Sequence, residues 1–401
     1  LTGAPGTLAL VETITGQTPG SFFAADTETV ETFTQDNEAY SLFATLDFHI
    51  NDRLTLTGGV NYTNDKKSVT GSTVNGDVFS SINLQDSLFG GAFFGATGLA
   101  PTPDNIAAVE AGAPGTSAAI QASIAPLLGL SVLQFQPQFL AFPNSVQDGK
   151  TADDKLTWTA RLSYEANDNL NLYFSAATGF KSSSWNLSRD ARPFAANQSA
   201  LEAAGLTRVN QSYGTLFAGP ENATVYEIGL KARFPRGAFN LALFDQTIKG
   251  FQSNTFLGSG FVLGNAGKQS TKGVEIDATW TPVEELTLAF AGTYLDPVYD
   301  SFVGSPQGDI SGTRPAGIHE FSISTSATYN HDFGEGTLGF IRADYLHESE
   351  VAVGDAFPNI TREVNMVNAS VGLSFENGWG IQVYGRNLFN DEYFLTAFPG
   401  V

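Results

Sequence analysis

The feature that most constrains this chain is a two-residue alternation of apolar and polar side chains, recurring from residue 39 to residue 389. Tyr40, Leu42, Ala44, Leu46, Phe48 and Ile50 alternate with Ser41, Phe43, Thr45, Asp47 and His49. Asn51-Asp52 turns the chain, and Leu54, Leu56, Gly58, Val60 and Tyr62 then oppose Thr55, Thr57, Gly59, Asn61 and Thr63. Side chains of a strand point to opposite faces in turn, so the pattern reads as a hairpin of two-faced strands. It repeats around Asn167-Asp168-Asn169, Pro235-Arg236-Gly237, Pro282 to Glu285, Gly334-Glu335-Gly336 and Glu376-Asn377-Gly378. Segment 238–249 carries apolar residues on both faces, and 337–347 is also less regular. About twelve strands in six hairpins result. Residues 24–34 could add a polar-ended strand rising into the one at 39.

The connections sort by length. One set has about two to eight residues, and the other runs 64–152, 181–222, 250–269, 297–316, 348–362 and onward from 390. Short turns at one end and long loops at the other, joining strands of about 11–13 residues, fit a barrel that crosses a bilayer. A soluble sandwich has no reason to sort its loops in this way. Composition agrees: charged residues are 15%, against about 25% in a soluble domain, while mean hydropathy is only −0.06. The expected fold is therefore all-β, a transmembrane antiparallel up-and-down barrel with long extracellular loops. No run of 18 apolar residues encodes a membrane helix.

Several functions are disfavoured. The net charge of −21 offers no basic face for a phosphate backbone, so nucleic acid is a poor partner. Zero Cys removes thiolate metal sites and Cys nucleophiles, and His49, His319, His331 and His347 lack metal-ligand spacing. Ser182-Ser183-Ser184 belongs to no catalytic motif, and Asp153-Asp154 and Glu284-Glu285 read as solvated strand ends. No enzyme activity, cofactor or metal is implied.

Four stretches resemble the TonB-dependent outer-membrane receptors. Leu172-Tyr173-Phe174-Ser175 through Thr178-Gly179-Phe180-Lys181 is similar to that family's strand entering an extracellular loop. Thr224 to Lys231 resembles its Tyr-Glu-x-Gly-x-Lys strand, and Asn265-Ala266-Gly267 through Lys272-Gly273-Val274-Glu275 its Asn-Ala-Gly…Lys-Gly-Val-Glu pair. Asn387-Leu388-Phe389-Asn390-Asp391-Glu392-Tyr393 looks like the motif that precedes the last strand. The likeness covers roughly residues 150–395.

The resemblance implies a barrel of 22 strands in the cell outer membrane around an N-terminal plug, coupled to TonB through a Ton box. On that pattern residues 1–401 are a partial barrel of about 12–13 strands, without plug, first strands or final strand. Segment 71–150 is then a long extracellular loop, with short helices over 106–124 interrupted at Pro114 and Gly115. An open edge in lipid leaves backbone groups unpaired, so the chain alone is expected not to form a lipid-stable closed barrel.

The implied work is capture of a scarce, bulky nutrient, with a ferric siderophore as the default and haem, cobalamin or oligosaccharide open. A passive porin-like channel is the main rival. Lys181, Arg189, Arg192 and Arg208 with Trp185 and Tyr213 form the candidate substrate surface. Arginine and aromatic rings together suit a flat anionic chelate, and lipopolysaccharide phosphate is their other natural partner. Arg161, Glu227, Lys231, Arg233, Glu275 and Asp277 fall on the lumen face, where an internal Glu227–Lys231 ion pair is the plain structural expectation.

Overall fold

The computed structural model describes residues 6–134, 140–187, 191–256, 261–305 and 307–397. In chain order they form α1 (Thr7–Ile14), β1 (Thr29–Asn51), β2 (Leu54–Asn75), α2 (Val78–Ser81), α3 (Leu84–Thr97), α4 (Pro103–Gly112) and α5 (Thr116–Leu128). Then come β3 (Lys150–Asn167), β4 (Leu170–Lys181), β5 (Ser184–Trp185), α6 (Gln198–Ala203), β6 (Phe217–Ala218), β7 (Glu221–Phe234) and β8 (Gly237–Lys249). The rest are β9 (Gln252–Phe256), β10 (Phe261–Asn265), β11 (Lys268–Val283), β12 (Leu286–Ser301), β13 (Phe321–Asp332), β14 (Thr337–Ala352), β15 (Thr361–Phe375) and β16 (Gly380–Gly385).

Twelve of these strands make one antiparallel sheet in the order β1-β2-β3-β4-β7-β8-β11-β12-β13-β14-β15-β16. Every neighbour in the sheet is the next large strand in sequence, which is the up-and-down topology read from the alternation. Among the described residues β1 and β16 are free edges and the sheet stays open. The pairs β5–β6 and β9–β10 are small ribbons inside the loops. No helix among the described residues is long and apolar enough to cross a membrane.

The two faces differ as the pattern requires. Leu162, Phe174, Ile228, Leu243, Val274, Tyr294 and Phe321 lie in one cross-strand row of apolar side chains. Tyr164, Phe234, Trp280, Tyr329 and Phe375 stand near the short turns on this face, and Tyr40, Tyr226, Tyr294 and Phe321 nearer the long loops. An exposed apolar band bounded by aromatic rings is what the lipid-facing wall of a barrel presents. The register also drifts. The hydrogen-bonded row starting at Tyr164, three residues before the short turn, runs through Leu172, Leu230, Leu241, Ile276, Gly292 and Ile323 to His347, close to the long-loop end of β14. Such a shear means that the strands tilt.

Three expectations are corrected. Residues 29–51 form one unbroken strand of 23 residues, so 24–34 contributes no separate element. β2 and β3 extend to Asn75 and from Lys150, because polar residues beyond the apolar band still pair in register. The last strand ends at Gly385 instead of reaching 389. Asn387 and Asn390 adopt φ of +48° and +53°, and Asn387 Nδ2 donates to the Asp391 carbonyl at 3.0 Å. That side chain closes a turn, which no strand can contain.

The insertion between β2 and β3 is mostly helical. Pro114-Gly115 does break it, since Gly115 takes φ +89° as the N-cap of α5. Val11, Phe22, Phe79, Leu84, Leu88 and Ile124 form its buried core, so α1 belongs to the same body. Glu110 accepts the Gly115 N–H at 2.7 Å and bonds Ser117, and these donors, Ser117 first, hold its carboxyl below the usual range. A depressed folded pKa contributes stability above the unfolded value, about 4.3, and loses it as pH falls through the folded one. Acidification below about pH 4 should therefore lower the amide-exchange protection factors of Gly115 and Ser117, with the intrinsic rate at each pH divided out, and Glu110→Gln should abolish that pH dependence.

Candidate functional site

The polar face of the sheet carries a cluster drawn from β3, β4 and β7. The Tyr173 hydroxyl donates to Glu227 Oε1 at 2.6 Å. The Arg161 guanidinium lies 4.3 Å from the Tyr173 ring centroid, and Lys231 Nζ 5.9 Å from it. The expected Glu227–Lys231 ion pair is thus replaced by a tyrosine that bonds the carboxylate and faces both cations. Gly229 explains the arrangement: a Cβ there would stand 2.5 Å from the Tyr173 hydroxyl oxygen, so only glycine lets the ring lie across β7. Phe244 covers Gly273 in the same way, which accounts for an apolar residue on the polar face of β8. Arg233, Glu275 and Asp277 are exposed on the wall.

At the long-loop end of this wall the loops tie together. Trp185 is buried against Phe142, Val69, Ala191 and Leu216. Its ring stacks on Phe142 at 5.7 Å, and Nε1 donates to Thr151 Oγ1 at 3.1 Å. Lys67 forms a part-buried ion pair with Asp65 and donates to Ser182 Oγ at 2.7 Å. Gln252 Nε2 reaches the carbonyls of Ser182 and Gly219, each at 2.9 Å. Asn265 accepts the Gly219 N–H at 2.7 Å and donates to the carbonyls of Gly219 and Gly250 at 2.9 and 2.6 Å. The asparagine of the Asn-Ala-Gly motif is therefore a three-way clamp between loops.

Of the candidate substrate residues, Lys181 pairs with Glu221 at 3.4 Å and is more than half exposed. Arg192 and Tyr213 are half-buried and Arg208 is exposed. Trp185 faces the loop core rather than open space. Arg189 lies outside the described residues.

Sequence reasoning missed a cleft of about 480 Å³ at the mouth, between 251–254, Tyr299, 353–357 and 396–397. Tyr299 donates to Asp355 Oδ2 at 3.1 Å, and Asp355 Oδ1 accepts the Ala316 N–H at 2.9 Å. Burial and the adjacent carboxylate push the Tyr299 hydroxyl up, so it stays a donor throughout the ordinary pH range. Only the cross-strand position of Tyr299 on the polar face of β12 could have signalled it, and Asp355 sits in a loop with no periodicity. No group of three or more His, Asp or Glu suited to a metal ion occurs among the described residues.

Comparison with known proteins places this geometry. In the solved structures the ferric yersiniabactin uptake receptor FyuA of Yersinia pestis superposes with a TM-score of 0.61 at 17% identity, over 93% of this chain and 44% of that one. The siderophore receptor PiuA of Acinetobacter baumannii gives 0.53 at 14%, over 91% and 41%. The ferric-catecholate import receptor Fiu of E. coli gives 0.54 at 14%, over 91% and 42%. The chain thus spans less than half the length of these structures, and the likeness is one of fold. No curated protein matches the chain. The family model for the TonB dependent receptor-like β-barrel matches residues 11–388. The chain belongs to the TonB-dependent receptor β-barrel family of the outer membrane.

Proposed function

We propose that this chain supplies the wall and mouth of an outer-membrane receptor that captures a scarce, bulky solute and imports it into the periplasm with TonB-coupled energy. A ferric siderophore is the leading substrate class. The observation that carries the reading is the tied mouth, where Asn265, Gln252 and Trp185 hold the long loops against one another and a cleft lies beside Gln252. A passive channel needs a continuous water-filled path with charges ringing it, whereas long loops held together around a cleft suit capture of a ligand. The family is one of transport receptors, not enzymes. The lumen cluster of Arg161, Tyr173, Glu227 and Lys231 offers paired charges to a domain seated inside the barrel, which is where a plug coupled to TonB would lie. The aromatic-bounded outer face suits lipid, with lipopolysaccharide beyond it.

Uptake of ⁵⁵Fe-labelled chelates by cells expressing the intact receptor tests this. Uptake should saturate, and it should stop when the proton gradient is collapsed or TonB is deleted. Linear uptake that ignores both treatments would establish the passive channel instead.

A further inference from the structure

We propose that the mouth cleft takes an uncharged or positively charged, oxygen-rich solute and that the surrounding loops repel polyanions. This rests on the mouth being the capture site. Residues 1–28 and 76–149 hold eight carboxylates and no Lys or Arg. Neutral donors fix three of those carboxylates in place. Glu12 accepts the N–H groups of Gly20 and Phe22 at 2.7 and 2.6 Å, Asp77 that of Phe79 at 2.9 Å, and Glu110 that of Gly115 at 2.7 Å. A backbone N–H orients a carboxylate without cancelling its charge, so its field reaches solvent.

Four cations around the mouth are matched differently. Lys181 faces Glu221 at 3.4 Å, Lys268 faces Asp300 at 3.1 Å, and Arg314 stands 3.7 Å from Asp296 and 3.9 Å from Glu320. Arg362 lies 4.0 Å from Glu348. Each of these four fields is cancelled locally, and residues 182–220 add Arg189, Arg192 and Arg208 against Asp190 and Glu202, one positive charge beside the eight carboxylates, so the negative field is left over.

The cleft repeats the asymmetry at close range. Phe251, Gln252, Asn254, Tyr299, Asp355 and Phe357 line it, and no Lys, Arg or His does among the described residues. The loop stretches 251–267, 302–318, 353–360 and 387–397 contain Asp309, Asp355, Asp391 and Glu392 against Arg314 alone. Aromatic faces, amides and a carboxylate bind hydroxyls, carbonyls and cations. The planar fork that pairs with an anion is missing from the lining. Two sources share the favoured chemistry, a neutral or cationic hydroxamate-type metal chelate and an uncharged oligosaccharide.

Equilibrium binding to outer-membrane vesicles carrying the intact receptor distinguishes them. The probes are a cationic ferric trihydroxamate, a trianionic ferric tris-catecholate, an uncharged oligosaccharide and its sulfated derivative. The uncharged or cationic member of one pair should bind at least roughly tenfold more tightly than its polyanionic counterpart at low salt. Raising salt from about 0.01 M to about 1 M should shrink that ratio as the Debye length falls. Asn254→Arg, which places a cation at the cleft, should cut it roughly tenfold. If the oligosaccharide binds and neither chelate does, the charge assignment holds and the siderophore reading fails. Equal or tighter binding of a polyanionic probe overturns the proposal, as does a preference that Asn254→Arg leaves unchanged. Binding of no probe would overturn both it and the capture site.

Discussion

Trp185→Ala should release residues 182–218 from the mouth at a cost of about 3–5 kcal/mol. The indole is 8% exposed and stacks on Phe142, with the Phe217 ring 5.0 Å away. Truncation leaves a cavity where three loop segments meet and strips Thr151 of its indole donor. The β5–β6 ribbon has only two residues per strand and cannot hold the segment without this packing. Hydrogen exchange should show lost protection at Ser184, Asn186 and Ala218 while β3 and β4 stay protected. A ligand-stacking role would give the opposite result, with protection retained and chelate binding lost. The same variant thus separates the two readings of this residue.

Gly91→Val should detach α1 from the helical insertion. A Cβ at Gly91 would stand 1.7 Å from the Ile14 carbonyl oxygen, a backbone atom that cannot rotate away. Overpacking of this kind costs about 1–3 kcal/mol where neighbours can shift. Here the neighbour is an eight-residue helix, too short to persist without packing. Losing the contact exposes Val11 and Phe22, both buried in the shared core. Limited proteolysis should then cut near residues 15–20 far faster than in the parent, with the twelve-strand sheet unaffected. Unchanged cleavage would mean that α1 is held by contacts other than α3.

The wall of the molecule was legible because it obeys one repeating rule. Alternation, turn residues and loop lengths together gave strand number, order and facing, down to the turns at Asn51-Asp52 and Pro282 to Glu285. What alternation misplaced were strand ends. Polar residues beyond the bilayer-matched band, such as Thr29–Glu38 and Lys66–Asn75, keep pairing by backbone bonds that leave no hydrophobic signature. Family-like motifs were visible as strings, while their physical roles were not. The glycines of Tyr226-Glu227-Ile228-Gly229 and Lys272-Gly273 make room for Tyr173 and Phe244 on neighbouring strands. Those partners lie 56 and 29 residues away in sequence. The mouth was least legible. Asp355 and Gln252 reach the β12 residue Tyr299 only after the loops that carry them fold, and loops carry no period from which a meeting can be inferred.

The sheared register sets how position in the sheet translates into depth. Tyr164 and His347 share one hydrogen-bonded row, yet one sits beside a short turn and the other beside a long loop. Walking along that row around the wall is a climb from the periplasmic leaflet to the outer one. Residues equally deep in lipid therefore belong to different rows, and a line of substitutions that follows backbone pairing samples the whole bilayer thickness. Any disturbance passed strand to strand through the hydrogen bonds would travel as a spiral, linking the periplasmic rim on one side to the mouth on the other.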